Sequence, residues 1–226
     1  MGEVRDTGWW EYFPVILGIK TPIPFLLLAA TGGYFIVRER RHRALLVMAA
    51  LMLAAVMTSR INLGVRHILA IYLPLAIVAA VAVDRLSRTP ARWLAAALVL
   101  WLGIDSFSAH PDYLPWMNAF AGPHPERIVL DSNFDWGQDA VRLRDTCRAM
   151  RVTLTGLDLF GSADLPRLGI PPTPHVPREP GPPGFYAVSE SYLIPEQVRD
   201  PAAFRWLTEG RTFRRVGKSI RVYEVR

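Results

Sequence analysis

The chain has a single cysteine, Cys147, among 226 residues. That excludes an intrachain disulfide framework and any metal site built on several thiolates. Its helical-stripe neighbours Ala140, Leu143 and Met150 are apolar or thioether side chains, so a core thiol is expected. The opening stretch "MGEVRDTGWW" lacks the layout of a secretory leader. Glu3, Arg5 and Asp6 stand where a basic region followed by an apolar run belongs. A nucleotide loop is missing too. "VGKS" (216–219) has the tail of a P-loop, but the motif needs glycine where the chain has Thr212, and a helix where a hairpin pattern continues.

What is present is an apolar surplus on a basic background. Hydrophobic residues make up 51%, the formal net charge is +6 and the mean hydropathy is +0.18. That hydropathy is high for a soluble chain and low for one wholly in lipid, which implies two unlike parts. Four apolar segments fall in the first half, at 22–37, 44–58, 68–83 and 93–104, the last reaching 108 with its flank. Each is a little short of the ~20 residues that span a bilayer, and flanking Trp, Tyr, Lys and Arg suited to the interface bring it near that length. A soluble bundle needs a polar face on each helix, and "ALLVMAALMLAAVM" (44–57) has none. The expected fold is therefore a membrane all-α region of about four transmembrane helices at 1–109, followed by a small extracytoplasmic α/β domain at 110–226.

The arginine-rich loops "RERRHR" (38–43) and "DRLSRTPAR" (84–92) set the expected orientation, with both in the cytoplasm. The chain is then a multi-pass protein of the cytoplasmic (inner) membrane. Its start, the loop "SRINLGVRH" (59–67) and everything after the fourth helix lie outside. Trp9, Trp10, Tyr12 and Phe13 form an aromatic belt, Pro22 and Pro24 suit a first helical turn, and Pro74 is expected to kink the third helix. In the outer loop Arg60, Arg66 and His67 flank Asn62 and Gly64, with Lys20 at the same level. Two readings stand: arginines that snorkel at helix ends, or a site for phosphate carried on a lipid, since paired guanidinium forks match phosphate geometry.

In the second half, "RIVL" (127–130) reads as a strand, 137–150 as an amphipathic helix and "VTLTGLDLF" (152–160) as a second strand, a β-α-β order that implies parallel pairing. "FYAVSES" (185–191) is a third strand, 201–207 a short helix and "TFRRVGKSIRVYEV" (212–225) a closing hairpin. "PPTPHVPREPGPPG" (171–184) reads as a stiff exposed loop or spacer, with a proline-recognition ligand as the sharper alternative. The basic C-terminal part is assigned to anionic lipid headgroups and not to nucleic acid.

"LDSNFDWGQDAVRL" (130–143) admits three readings. Asp131, Asn133, Asp135 and Asp139 match positions 1, 3, 5 and 9 of a calcium loop, but Gly137 is one place late and Arg142 stands where a bidentate Glu is required. They also suit a helix start, with Asp135 as N-cap or Asp139 at the positive helix end. Third, "DSNFDWGQD" and "GSAD" (161–164) leave the C-terminal ends of two adjacent parallel strands, where ligands bind. Carboxylates, an amide and an indole there suit a polyhydroxy ligand.

"GWWEYFPVILGIKTPIPFLLL", "SRINLGVRHILAIYLPL", "HPDYLPWMNAFAG", "LDSNFDWGQD" and "LFGSAD" occur in this order. Together they resemble the C-terminal portion of bacterial polytopic glycosyltransferases of GT-C fold, similar to dolichyl-phosphate-mannose–protein mannosyltransferases (glycosyltransferase family 39). The resemblance covers nearly the whole chain and is weakest in the proline-rich loop. It implies transfer of mannose or another hexose from a polyprenyl-phosphate carrier to an acceptor on the outer face, as in protein glycosylation. The family's catalytic acidic residue, its base, lies in a first extracytoplasmic loop that nothing here matches, so no catalytic residue is assigned and the chain is expected to be incomplete alone. The expected partners are a polyprenyl-phosphate-linked sugar, membrane lipids and the missing N-terminal part of the enzyme; nucleic acid is not expected.

The lipid-phosphate set is Lys20, Arg60, Arg66 and His67, and the sugar or acceptor crevice is Asp131, Asn133, Asp135, Trp136, Gln138, Asp139, Ser162 and Asp164. No cofactor is expected, a divalent metal entering only on the calcium-loop reading. The alternative class is a non-catalytic membrane-anchored module that binds glycan or lipid carrier. A transporter subunit is disfavoured because the membrane-level charges cluster on one face with no relay through the helices.

Overall fold

The computed structural model describes residues 8–59, 64–194, 203–209 and 212–226. Contacts divide the chain into two compact units, a helical one within 5–123 and an α/β one from His124 onward.

In the helical unit, α1 (Tyr12–Lys20) and α2 (Ile23–Glu39) meet at a 112° bend. Thr21 is extended and Pro22 has no N–H to give, so the helical ladder cannot run through. The carbonyls freed at the bend are taken by Asn118. Its Nδ2 donates to the Gly18 and Thr21 oxygens at 2.6 Å each, and its backbone N–H to Ile19 O at 2.8 Å. These bonds hold the segment around Asn118 to the helices. α2 ends at Arg40 in the left-handed region (φ 60°), and α3 (Arg43–Met57) begins after His42, also left-handed (φ 57°). A 3₁₀ helix, Val65–Ile71, continues into α4 (Tyr72–Ser87), followed by α5 (Arg92–Ser108). Pro74 lies in the first turn of α4, where 3₁₀ geometry passes into α.

α2 and α4 are in backbone contact: a Cβ added at Gly32 would collide with the Val78 carbonyl. Leu28, Ala79, Ala82 and Leu98 are buried between α2, α4 and α5. The small side chains among them permit close helix approach. Large apolar side chains point the other way. Val47 and Leu51 on α3, Leu73 and Ile77 on α4, and Leu100, Ile104 and Phe107 on α5 are all exposed.

The expectation of about four transmembrane helices is not met. Among the described residues one helix, Val65–Ser87 at 23 residues, is long and apolar enough to cross a membrane; the bent α1–α2 pair makes two only if it counts as one broken span. α3 has 15 residues and α5 has 17, or ~22 and ~25 Å of helix against a hydrocarbon core of ~30 Å. The sequence reading lengthened each apolar run across its flanks, but the flanks turn away at Pro22 and at Arg40–His42.

The α/β unit holds α6 (Ala140–Met150), β1 (Leu154–Asp158), β2 (Gly184–Ser189), α7 (Arg205–Thr208), β3 (Phe213–Val216) and β4 (Ile220–Val225). The sheet order is β1-β2-β4-β3, with β1 and β2 parallel and the other pairs antiparallel. Alternation along β2 and β4 supplies two faces. Ala187, Ile220 and Val222 pack with Leu143, Leu157 and Ile170 on the α6 side. Tyr186, Val188, Tyr223 and Val225 pack with Val176 and Leu207 on the other.

The strand expected at 127–130 is absent. Pro125–Arg127 is a 3₁₀ turn and no strand precedes α6 among the described residues, so the β-α-β crossover from it does not form. The proline-rich loop is pinned and is not a free spacer. Leu157 N–H donates to Pro174 O, Trp206 Nε1 to Pro177 O and the Tyr186 hydroxyl to Pro182 O. Cys147 is half-buried at the edge of the α6 core.

Candidate functional site

The two acidic loops do meet. "DSNFDWGQD" and "LFGSAD" pack at the C-terminal end of β1: the Trp136 and Phe160 rings lie 6.0 Å apart, with Tyr192 another 6.0 Å beyond Phe160. A Cβ at Gly161 would press on the Trp136 carbonyl, and one at Gly137 would touch Phe160 O. The turn that presents Trp136 is built locally. Asp135 Oδ1 accepts from Gly137 N–H at 2.8 Å, Gln138 Oε1 accepts from Trp136 N–H at 2.8 Å, and Gln138 Nε2 donates to Phe134 O at 3.0 Å.

The loop pair sorts its residues by direction. Asn133, Asp135 and Asp139 are turned inward, at 1%, 0% and 1% exposure, whereas Trp136, Gln138, Ser162 and Asp164 are exposed. Asp131 belongs to the short 3₁₀ turn Asp131–Asn133. Asp139 therefore does not border an open crevice. It occupies the N-cap position of α6 without capping it, and its Oδ2 accepts from Lys218 N, Ser219 N and the Ser219 hydroxyl at 3.0, 3.1 and 2.9 Å. Arg142 closes on Oδ1 at 2.7 Å. The "VGKS" turn is thus a small oxyanion cradle filled by the chain's own carboxylate.

Asp135 is the electrostatically unusual member. Burial pushes its carboxyl above the ordinary range, and the nearby Asp139 charge adds to that; Gly137 N–H and the Ser189 and Ser219 hydroxyls offset part of it. No hydrogen bond closes on its Oδ2. Asp164, by contrast, is held by Arg167, whose Nε lies 3.0 Å from Oδ2 and whose backbone N–H donates to Oδ1 at 3.3 Å.

Three functional-looking groups escaped the sequence reading. Glu190, fully buried, lies 2.7 Å from both Arg215 and Arg221. Asp158, at the end of β1, holds His175 Nδ1 at 2.6 Å on Oδ1 and Val176 N–H at 3.0 Å on Oδ2. The Tyr192 hydroxyl is pushed above its ordinary range by burial and by the charges of Asp158 and Asp135. Only their placement at strand ends was available as a signal.

Of the lipid-phosphate set, Arg60 lies outside the described residues. Arg66 and His67 are exposed at the start of the 3₁₀ helix, with Arg66 Nε 3.3 Å from His67 Nε2. That helix packs against α1, which carries Lys20. The Lys20 ammonium donates to the Leu114 and Trp116 carbonyls at 2.5 and 3.1 Å. Among the described residues no group of three or more His, Cys, Asp or Glu side chains is placed to hold a metal ion. Comparison with protein families, curated proteins and solved structures found no match.

Proposed function

We propose that the chain is a membrane-inserted portion of a transferase that uses a lipid-linked sugar, and that its α/β unit contributes a carbohydrate-facing platform and not the chemistry. One observation carries this reading: the Trp136 indole is 42% exposed yet fixed, braced by Phe160 and by the Asp135–Gln138 turn, with Ser162 and Asp164 exposed on the neighbouring loop. A rigid aromatic face beside hydroxyl and carboxylate acceptors suits a sugar ring, whose C–H face is apolar and whose edge is polar. The order of motifs resembling the glycosyltransferases supports the donor class. The exposed apolar side chains of α3, α4 and α5 support a lipid or helix-packed surrounding for the helical unit.

The commitment of the Lys20 ammonium to two backbone carbonyls weakens the phosphate set and favours a second reading, a module that binds the glycan itself. Calorimetric titration of the full chain in nanodiscs with a polyprenyl-phosphate hexose and with the free hexose oligosaccharide separates the two. Only the first ligand binds on the main reading; equal binding of both supports the second. Trp136→Ala is expected to weaken binding roughly three- to tenfold, the scale of one aromatic contact. Unchanged affinity in Trp136→Ala overturns the platform.

A further inference from the structure

A separate groove lies between the C-terminal half of α6, the start of β1 and the 169–173 segment, with a volume of about 230 Å³. Its floor is apolar, from Leu143, Cys147, Leu154 and Ile170. Its rim is cationic. Arg144, Arg148 and Arg151 line it, and Asp145 is the acid beside them, bound to Arg144 Nε at 2.7 Å and also feeling the charge of Arg148. Arg144 Nη1 is further held by Leu168 O at 3.0 Å. Arg148 and Arg151 are exposed, and their guanidiniums make no hydrogen bond or ion pair among the described residues.

The plain explanation for such arginines is that they cap a helix end. α6, however, closes its own last turn. Arg151, left-handed at φ 55°, returns its N–H to Arg148 O and Cys147 O, and Val152 N–H also bonds Cys147 O. Two guanidiniums are therefore left over beside an apolar cavity, offset by Asp145, which is already paired with Arg144, and by the partial charge of the helix C-terminus.

We infer that this groove binds a small amphiphile with a phosphate monoester head and an aliphatic body, the head held by Arg148 and Arg151 and the body over Leu143, Cys147, Leu154 and Ile170. A phosphate monoester carries close to two negative charges at neutral pH and three acceptor oxygens, enough for two guanidinium forks. The cavity equals roughly seven or eight water volumes, which sets the size of the buried body. The site is distinct from the Trp136 loops and does not depend on their reading.

Cys147 is the only thiol in the chain and lines the groove, so it reports occupancy. The test follows its alkylation by N-ethylmaleimide in the full chain in zwitterionic nanodiscs, with octyl phosphate as probe. Octyl glucoside (same tail, neutral head) and inorganic phosphate (head alone) separate the two halves of the recognition. Octyl phosphate is expected to slow alkylation at concentrations at least about tenfold below either control, and Arg148→Gln with Arg151→Gln to raise its half-protective concentration about tenfold. Calorimetric titration of the same probes gives the same contrast without relying on thiol reactivity. Equal action of octyl glucoside or of inorganic phosphate overturns the proposal, as does the absence of any protection and of any heat of binding.

Discussion

The Asp139 carboxylate is surrounded by two backbone N–H groups, a hydroxyl and a guanidinium, three of these donors coming from Lys218 and Ser219 about 80 positions along the chain. Asp139→Ala leaves those donors facing an empty site and is expected to destabilise the α/β unit by about 3–5 kcal/mol. Asp139→Asn, which keeps one acceptor oxygen, is expected to cost about half as much; chemical denaturation followed by far-UV circular dichroism measures both. Equal, small losses would mean the cradle is dispensable. Asp135 gives a pH signature. Its native carboxyl titrates above the unfolded one, so the native state holds the extra proton in the window between the two values. Its contribution is full below the ordinary carboxylate range and is lost as pH rises through the native value. Asp135→Asn is expected to flatten the pH dependence of stability just above pH ~4; an unaltered slope counts against this. The four-residue spacing of Asp135 and Asp139 was legible in the sequence, but what each faces was not, because the partners sit in a hairpin far along the chain.

At the scale of elements, propensity and patterning located α6, two of the three expected strands and the hairpin, because each carries its own periodicity and turn residues. "RIVL" is as strand-like as they are, yet its expected place beside β1 is partly taken: Leu157 N–H of β1 donates to Pro174 O of the proline-rich loop. Where that loop runs is a tertiary fact that no local pattern carries. Helix lengths failed for the converse reason, since apolar runs were visible but the bends that end them were not. The α2–α4 contact offers a direct test. Gly32→Ala places a methyl group into the Val78 carbonyl and is expected to lower the melting temperature of the helical unit, and Gly32→Val to lower it further. Unchanged melting in both variants would show that the two helices separate freely.

For the whole molecule, the question is what covers the apolar side chains on the helical unit. Ile77 lies on the 23-residue helix and is 46% exposed. If lipid covers it, Ile77→Asp costs about 3 kcal/mol of insertion and is expected to shift the chain out of the carbonate-resistant membrane fraction. If water covers it, the same change is neutral or improves solubility. Loss from the membrane fraction occurs only in the first case, so one fractionation experiment separates the two.

The sheet order β1-β2-β4-β3 puts β4 (Ile220–Val225), the later strand of the hairpin, in an interior position beside β2. Roughly three dozen residues must leave the ribosome after β2 before that partner arrives, a delay of several seconds at ordinary elongation rates. During that interval β2 has an open, strongly apolar edge, carrying Tyr186 and Val188 without the strand that covers them. Closure of the sheet therefore waits on β4, and until it pairs, the β2 edge is open to competing strands.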